Sequence, residues 1–436
     1  MKINRFFAAG AMMAAAIVPM TDARAQEVTD SARIAELERQ VEAITRELER
    51  QSLGVTVVEA DSSVLGFGPA ASRVYRVSQG VSIGGYGEVL YENFADEREN
   101  DTPSSATDRL DALRAIVYVG YKFNDRILFN SEIEFEHGST SQAGSASVEF
   151  AYIDYRLSDA FGFRGGLLLS PMGFLNELHE PPIFLGTERP LTENAIIPTT
   201  WRENGIGAFG GNEAISWRVY LMNSLDGVGG GSSNAGGFSS GGLRGGRQKG
   251  SSALAEDLGV VGRIDYVGTL GMVVGGSVFR GGTAHGRALD GSEVDGTALI
   301  WEGHAEYNAW GWDLRALVAG AQVDDVEALN ELRGLEGSGS IGESMLGWYV
   351  QAGYDLLAEF PSTHQFIPYA RYEVVNTQRE VPDGFSVNPA NERTILSVGA
   401  AWKPVPQVVT KVDYQVHTNE AETATNQFNI ALGYLF

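Results

Sequence analysis

Hydrophobic residues recur with two different periods in two parts of the chain. Over residues 31–51, apolar side chains are spaced alternately by three and four positions, and Glu and Arg residues flank them. This is the a/d pattern of a coiled-coil helix. Residues 52–80 show neither period and predict an irregular linker. The seam of the predicted helix consists of Ile34, Leu37, Val41, Ile44 and Leu48.

From residue 81 to residue 436, apolar positions alternate with polar ones, and a period of two predicts β-strands. In 408–417, for example, Val412 and Tyr414 alternate with Lys411 and Asp413. Sixteen segments of this kind begin near residues 81, 109, 126, 147, 161, 204, 214, 258, 271, 297, 310, 345, 365, 392, 408 and 427.

The connections between these segments are alternately short and long. Short ones include 123–125 and 403–406, and long ones include 172–203 and 224–256. A membrane barrel has short turns at one end and long loops at the other, with apolar residues facing lipid and polar residues facing the lumen. We therefore expect an all-β membrane protein, with a 16-stranded antiparallel transmembrane β-barrel over 81–436 preceded by the coiled-coil helix. Aromatic residues close to the short turns predict an interfacial girdle.

The two ends of the chain fit an exported protein. Residues 1–25 have a basic start, a short apolar run and an Ala-Arg-Ala cleavage pattern, which predicts a signal peptide. The alternative is a membrane anchor, although the apolar run is shorter than the about 20 residues that a spanning helix needs. The last segment, 427–436, alternates strictly and ends at Phe436, as the terminal strands of bacterial outer-membrane proteins do.

Composition narrows the possible functions. The net charge is −24, which disfavours nucleic acid as a partner and is typical of long, solvated acidic loops. The chain has no Cys, so disulfides and thiolate metal sites are excluded. Residues 205–210 match a glycine-rich nucleotide motif, but a strand follows instead of a helix, so we predict no nucleotide site. We expect no enzyme activity, cofactor or metal. Glu132, Glu134 and Glu136 share one strand face, and an acidic stripe in the lumen explains them better than a divalent cation site.

The loop 172–203 contains many apolar residues that should not remain in water. Folded into the barrel, it would narrow a pore. Arginines at lumen-facing positions of the strands would then oppose its carboxylates and sort solutes by charge. The alternative is that these arginines only pair with neighbours such as Asp265, Asp313 and Glu373. The charged residues assigned to the constriction loop are Glu177, Glu180, Glu188, Arg189, Glu193, Arg202 and Glu203, and those assigned to the pore wall are Arg114, Arg164, Arg218, Arg263, Arg315 and Arg371.

The segment 166–174, followed by Arg189-Pro190 and 201–207, resembles the strand and constriction loop of the phosphate-selective porin O and P family. This resemblance implies a trimer in the bacterial outer membrane, with lipid around it and one pore per subunit. The phosphate-selective members line their pores with arginines and lysines, whereas this chain has only five Lys. A general or differently selective channel for small hydrophilic solutes or ions is the expected function.

The predicted helix 31–51 leaves one alternative open. It is short for an isolated helix, so we expect it to associate with copies of itself, or else to dock on its own barrel. The alternative function is a structural anchor with a plugged barrel, in which the helix contacts peptidoglycan.

Overall fold

The structure is a computed structural model that describes residues 63–141, 143–158 and 160–436. The predicted signal peptide, the predicted helix 31–51 with its seam, and the first part of the predicted linker lie outside the described residues. The described chain forms a closed barrel of sixteen antiparallel strands. Each strand pairs with its neighbours in sequence, and the first strand closes the barrel against the last, with Tyr86 opposite Leu435.

The strands begin within two residues of the predicted positions, because the alternation of apolar and polar side chains marks both faces of each strand. The sixteen strands are β1 Gly80–Phe94, β2 Arg109–Lys122, β3 Ile127–Glu136, β4 Ser145–Ser158, β5 Phe161–Leu169, β6 Arg202–Gly211, β7 Ile215–Asn223, β8 Leu258–Thr269, β9 Met272–Gly282, β10 Thr297–Ala309, β11 Trp312–Val323, β12 Ser344–Tyr354, β13 Gln365–Glu380, β14 Glu392–Val405, β15 Val408–Asn419 and β16 Gln427–Leu435.

Connections of different length separate the two ends of the barrel. The turns at one end, the short-turn end, have two to four residues, apart from 355–364 between β12 and β13. The loops at the other end, the long-loop end, include L3 (170–201) between β5 and β6 and L4 (224–257) between β7 and β8. Helix α1, Thr192–Ala195, lies in L3, and helix α2, Val326–Arg333, lies between β11 and β12.

None of the helices in the described ranges has the length and hydrophobicity needed to span a membrane.

The outer face of the wall is apolar. Exposed side chains there include Ile206, Val260, Val350 and Leu432, as the alternation predicts. Such a surface matches the hydrocarbon layer of a membrane. Predicted girdle residues that are exposed near the short turns are Tyr121, Phe123, Tyr155, Tyr266, Trp310, Trp312, Trp402 and Phe436.

The inner face is less polar than the alternation predicts. Tyr86, Tyr118, Phe150 and Phe279 point inward and are almost completely buried in one large apolar cluster. They are buried because two parts of the chain fold into the barrel and cover them. One part is L3, and the other is residues 63–76, called here the N-terminal insert.

Candidate functional site

L3 turns inward from the long-loop end, and its apolar residues are buried inside the barrel. Trp201 is fully buried and packs against Phe279 of β9, with 4.7 Å between the ring centroids. Phe174 packs against His304 of β10 at 4.8 Å. The loop therefore spans the interior, as its apolar content predicts, because burial removes these side chains from water. Arg202 and Glu203 lie in β6 and not in the loop.

Cations on four strands bind the backbone of L3. Such charge-assisted hydrogen bonds are stronger than those between neutral groups. The donors and the accepting carbonyls are Arg263 to Gly173, Arg315 to Ile183 (2.8 Å), Lys411 to Gly186 (2.8 Å) and Arg371 to Glu188 (3.2 Å).

Carboxylates on two of the same strands bind backbone N–H groups of the loop. Glu373 of β13 accepts from Leu191 at 3.0 Å and from Thr192 at 2.6 Å. Asp413 of β15 accepts from Thr187 at 2.8 Å. L3 is thus attached to the barrel wall along its whole course, which fixes its position across the lumen.

Most of the charged side chains that were predicted to line the constriction have partners within the protein instead. Each of the following has a protein partner: Glu177 with Arg218 (3.5 Å), Glu180 with the N–H groups of Ala70 and Ala71, Glu188 with Gln427 (2.6 Å), Glu193 with Tyr349 (2.6 Å), Arg202 with Glu149 (2.7 Å) and Glu203 with the N–H of Gln248 (2.7 Å).

Arg189 differs from these residues. Its Nη2 is buried and has no hydrogen-bond partner. Burial lowers the pKa of Arg189, the nearby Arg114 lowers it further, and Glu88 and Glu134 act in the opposite direction. Arg189 therefore faces the β1–β3 wall.

The wall arginines all point inward, and most are paired. Asp265 accepts from both Arg218 and Arg263 at 2.8 Å. The remaining closest contacts are Arg114 with Glu88 (3.3 Å), Arg164 with Asp154 (2.7 Å), Arg315 with Glu306 (2.9 Å) and Asp313 (3.6 Å), and Arg371 with the carbonyl of Glu188. Of the predicted alternative partners, Asp265 and Asp313 pair with these arginines, whereas Glu373 binds the backbone of L3. A role of these arginines in sorting solutes stays a prediction.

The N-terminal insert enters the barrel from the short-turn end. Phe67 packs on Phe150 and Tyr152, with centroid distances of 5.4 and 5.6 Å. The N–H groups of Ala70 and Ala71 donate to Glu180 of L3 at 3.1 and 3.0 Å. The insert and L3 therefore meet inside the barrel.

The insert also binds the wall through Tyr75. Its hydroxyl donates to Asp154 at 2.7 Å and accepts from Arg164 at 2.8 Å. Arg164, predicted to line the pore, is enclosed by this contact. The sequence analysis did not predict the insert. Phe67, Ala70 and Val74 are a signal for it, because a solvated linker has little reason to be this apolar.

Several buried polar atoms on L3, L4 and the strands around them have no hydrogen-bond partner in the part of the chain that the structure describes. Such groups in native proteins normally bind water or a solute. They are Glu88 Oε1, Arg114 Nε, Glu149 Oε2, Arg189 Nη2, Arg202 Nε and Arg244 Nη1. At the long-loop end this region opens into a cavity of about 550 Å³ that is lined by β3, β4 and L4.

No family model matches the chain. An Aquifex aeolicus (strain VF5) protein, itself described only as an uncharacterized protein, is 38% identical over 393 residues. The match covers 88% of this chain and 86% of that protein. The chain belongs to the same family as the Aquifex protein. This family is called here the Aquifex-type barrel family.

Solved structures show what fold this Aquifex-type barrel shares. Salmonella typhi OmpF, in a complex with daunomycin, has a TM-score of 0.54 at 13% identity, over 82% of this chain and 98% of that chain. The outer membrane channel DcaP of Acinetobacter baumannii has a TM-score of 0.50 at 12% identity, over 82% and 97%. An anion-selective porin from Comamonas acidovorans has a TM-score of 0.50 at 11% identity, over 82% and 100%.

The fold is therefore that of bacterial outer-membrane porins. Together with the closed barrel and its apolar outer face, this likeness makes the Aquifex-type barrel a bacterial outer-membrane protein, as predicted. The likeness is one of fold, and the solutes of the protein have to be argued from its own residues.

Proposed function

We propose that this Aquifex-type barrel is an outer-membrane channel for passive diffusion of small hydrophilic solutes or ions, with L3 as its constriction. The observation that carries the proposal is the attachment of L3 across the interior by wall cations and carboxylates. A loop held in this way keeps its position, so the narrowing of the lumen is permanent. The porin fold of the neighbours supports the same function.

The narrow passage in this proposal runs between L3 and the β1–β3 wall. Arg189 on the loop lies near Arg114 on β2, Glu88 on β1 and Glu134 on β3, and Arg114 pairs with Glu88 at 3.3 Å within that wall. Charges of both signs across a narrow water-filled passage create a transverse field that acts on polar solutes. Glu88 Oε1, Arg114 Nε and Arg189 Nη2, which have no hydrogen-bond partner, belong to these residues.

Assembly and solute identity are part of the proposal. A homotrimer is the proposed state, as the resemblance to the porin O and P family implies; a Vibrio cholerae OmpT structure described as a trimer form has a TM-score of 0.50 at 11% identity. Phosphate is not proposed as the solute, because phosphate-selective pores of that family are lined with lysines as well as arginines. Of the five lysines of this chain, only Lys249, Lys403 and Lys411 come after β2. The signal peptide and the coiled coil stay predictions.

One observation favours a second candidate function. The N-terminal insert occupies the interior next to Phe150 and Asp154, as a plugged barrel would require. In that case the protein would be a structural anchor, and the predicted helix 31–51 would contact peptidoglycan.

Single-channel recording in a planar bilayer with a salt gradient tests the channel proposal. We expect current steps of reproducible size, and in Arg189→Gln we expect the reversal potential to move towards cation preference. Arg379→Gln, at an exposed position at the end of β13, is the matched control and should leave the reversal potential unchanged. Folded protein without current steps would contradict the channel and support the anchor.

A further inference from the structure

The cavity at the long-loop end has walls of opposite charge. L4 folds over the ends of β3 and β4 and encloses about 550 Å³ together with them. This volume is within the range of small-molecule sites. Leu167, Ala146 and Val148 are the apolar residues of its lining.

The basic wall consists of Arg244, Arg247 and Lys249, all on L4. None of the three forms an ion pair with a carboxylate in the part of the chain that the structure describes. Arg247 is nearly buried, and its Nε and Nη1 donate to the carbonyls of Arg244 and Thr200 at 3.1 and 2.7 Å. These bonds hold the guanidinium in place at the cavity.

The three cations repel one another. Burial lowers the pKa of Arg244 to about 9, and the charges of Arg247 and Arg189 contribute to this shift. Its Nη1 is buried without a hydrogen-bond partner. A cluster of like charges with an unpaired donor is costly unless an anion binds to it. The basic wall is therefore suited to a carboxylate or another small anionic group.

The acidic wall lies opposite, at the end of β3. Glu134 and Glu136 line the cavity from the same strand face, and Glu149 of β4 joins them. Glu149 pairs with Arg202 at 2.7 Å, and among the described residues the side chain of Glu136 accepts a hydrogen bond from the hydroxyl of Ser145 at 2.8 Å. Glu134 is almost completely buried beside the carboxylate of Glu149, with which it shares a proton, so Glu136 is the carboxylate left for a ligand. This wall is suited to an ammonium group.

We propose that the cavity binds a small amphoteric solute with a carboxylate and an ammonium group joined by a short aliphatic chain. The carboxylate binds Arg244, Arg247 and Lys249, and the ammonium binds Glu136. A solute with only one charge would leave the opposite wall desolvated and unpaired, which costs free energy. The proposal rests on the proposed function in one respect, namely that this cavity is where solutes are selected before they reach L3.

Four molecules of similar length separate the possible ligand chemistries. They are 6-aminohexanoate, adipate, 1,6-diaminohexane and 1,6-hexanediol, and their binding to the full-length protein in detergent is measured by isothermal titration calorimetry at low salt. We expect 6-aminohexanoate to bind at least about tenfold more tightly than the other three, because only this molecule pairs with both walls. Tightest binding of adipate would show an anion site, tightest binding of the diamine would show a cation site, and equal or absent binding would show no site. Each of these results would overturn the proposal.

Substitutions assign the two walls. Lys249→Gln should weaken binding of 6-aminohexanoate and adipate but not of the diamine, and Glu136→Gln should weaken 6-aminohexanoate and the diamine but not adipate. Both side chains lie at the cavity edge, so these variants should fold. Arg247→Gln is less suitable as a test, because it loses the hydrogen bond to Thr200. Glu420→Gln, on an exposed loop, is the matched control. Unchanged binding in both wall variants would also overturn the proposal.

The outcome is separable from that of the channel proposal, because equilibrium binding does not require conduction. Current steps without selective binding of 6-aminohexanoate would contradict only the amphoteric site. Selective binding without current steps would contradict only the channel.

Discussion

L3 and the N-terminal insert both fill the interior of the barrel, but they are attached to it differently. L3 continues into a strand at each end and receives hydrogen bonds from β8, β11, β13 and β15. Within the described residues the insert continues into one strand, β1, and it contacts the wall through packing of Phe67 on Phe150 and Tyr152 and through the hydrogen bonds of Tyr75.

This difference indicates which part of the interior can move. Displacement of L3 would break the hydrogen bonds that four wall cations and the carboxylates of Glu373 and Asp413 form with the loop, at about 1.5–3 kcal/mol for each bond to a charged group. Displacement of the insert would expose the buried Phe67, Ala70, Ala71 and Val74, at about 1.5–3 kcal/mol for a large side chain such as Phe67, and break the hydrogen bonds of Tyr75 with Asp154 and Arg164. We therefore expect L3 to be the fixed constriction and the insert to be a removable restriction.

Replacement of residues 63–76 by a Gly/Ser segment of equal length should have the largest effect. The lumen next to β1–β5 would become open to water, so single-channel conductance should rise by at least about twofold. A Gly/Ser replacement of the exposed residues 105–107 is the control. Equal conductance in the two variants would show that the insert does not restrict the path of the ions.

Phe67→Ala should give a smaller effect in the same direction. Loss of a buried Phe typically costs about 3–5 kcal/mol, which here weakens docking of the insert rather than the barrel itself. We expect open-channel events of high conductance to become more frequent, without a change in the size of each event. Phe360→Ala, at an exposed position, is the control. If both variants gave the same event frequency, packing of Phe67 would not hold the insert.

The pH dependence of docking should be smaller still. Burial raises the pKa of Glu180 from 4.5 to about 7, against the lowering effect of the Ala70 and Ala71 N–H groups. Glu180 therefore holds a proton more readily when the insert covers it. Docking is most favourable below about pH 4.5 and weakens as pH rises through about 7. Conductance measured at about pH 5.5 should be lower than at about pH 8.

Glu180→Gln should remove this difference and keep conductance low, because the neutral amide never acquires a charge beneath the insert. Burial also raises the pKa of Glu188 to about 7, but Glu188 binds Gln427 and not the insert. Glu188→Gln should thus retain the difference. Equal pH dependence of the conductance in wild-type protein and in Glu180→Gln would show that titration of Glu180 does not control docking of the insert.

The sequence predicts the wall well and the interior only in part. Strand positions follow from alternation, which is local and is repeated sixteen times. The inward course of L3 follows from residues such as Phe174 and Trp201, which have to leave water. The partners of the loop do not follow, because contacts such as that of Arg371 with Glu188 join residues 183 positions apart.

The insert shows the same limit. Phe67 and Ala70 carry no period, and their fit against Phe150 and Glu180 exists only after the barrel has closed. A local pattern therefore cannot distinguish this segment from a linker.

A single-cysteine experiment tests the central claim that ions pass between L3 and the β1–β3 wall. The chain contains no Cys, so Arg189→Cys has one thiol, and Val350→Cys places a matched thiol on the lipid-facing side of β12. Our account predicts that a charged, water-soluble methanethiosulfonate reagent reduces the current through Arg189→Cys channels and leaves that through Val350→Cys channels unchanged. Unchanged current through Arg189→Cys after labelling, with the modification confirmed by mass, would contradict a path past L3.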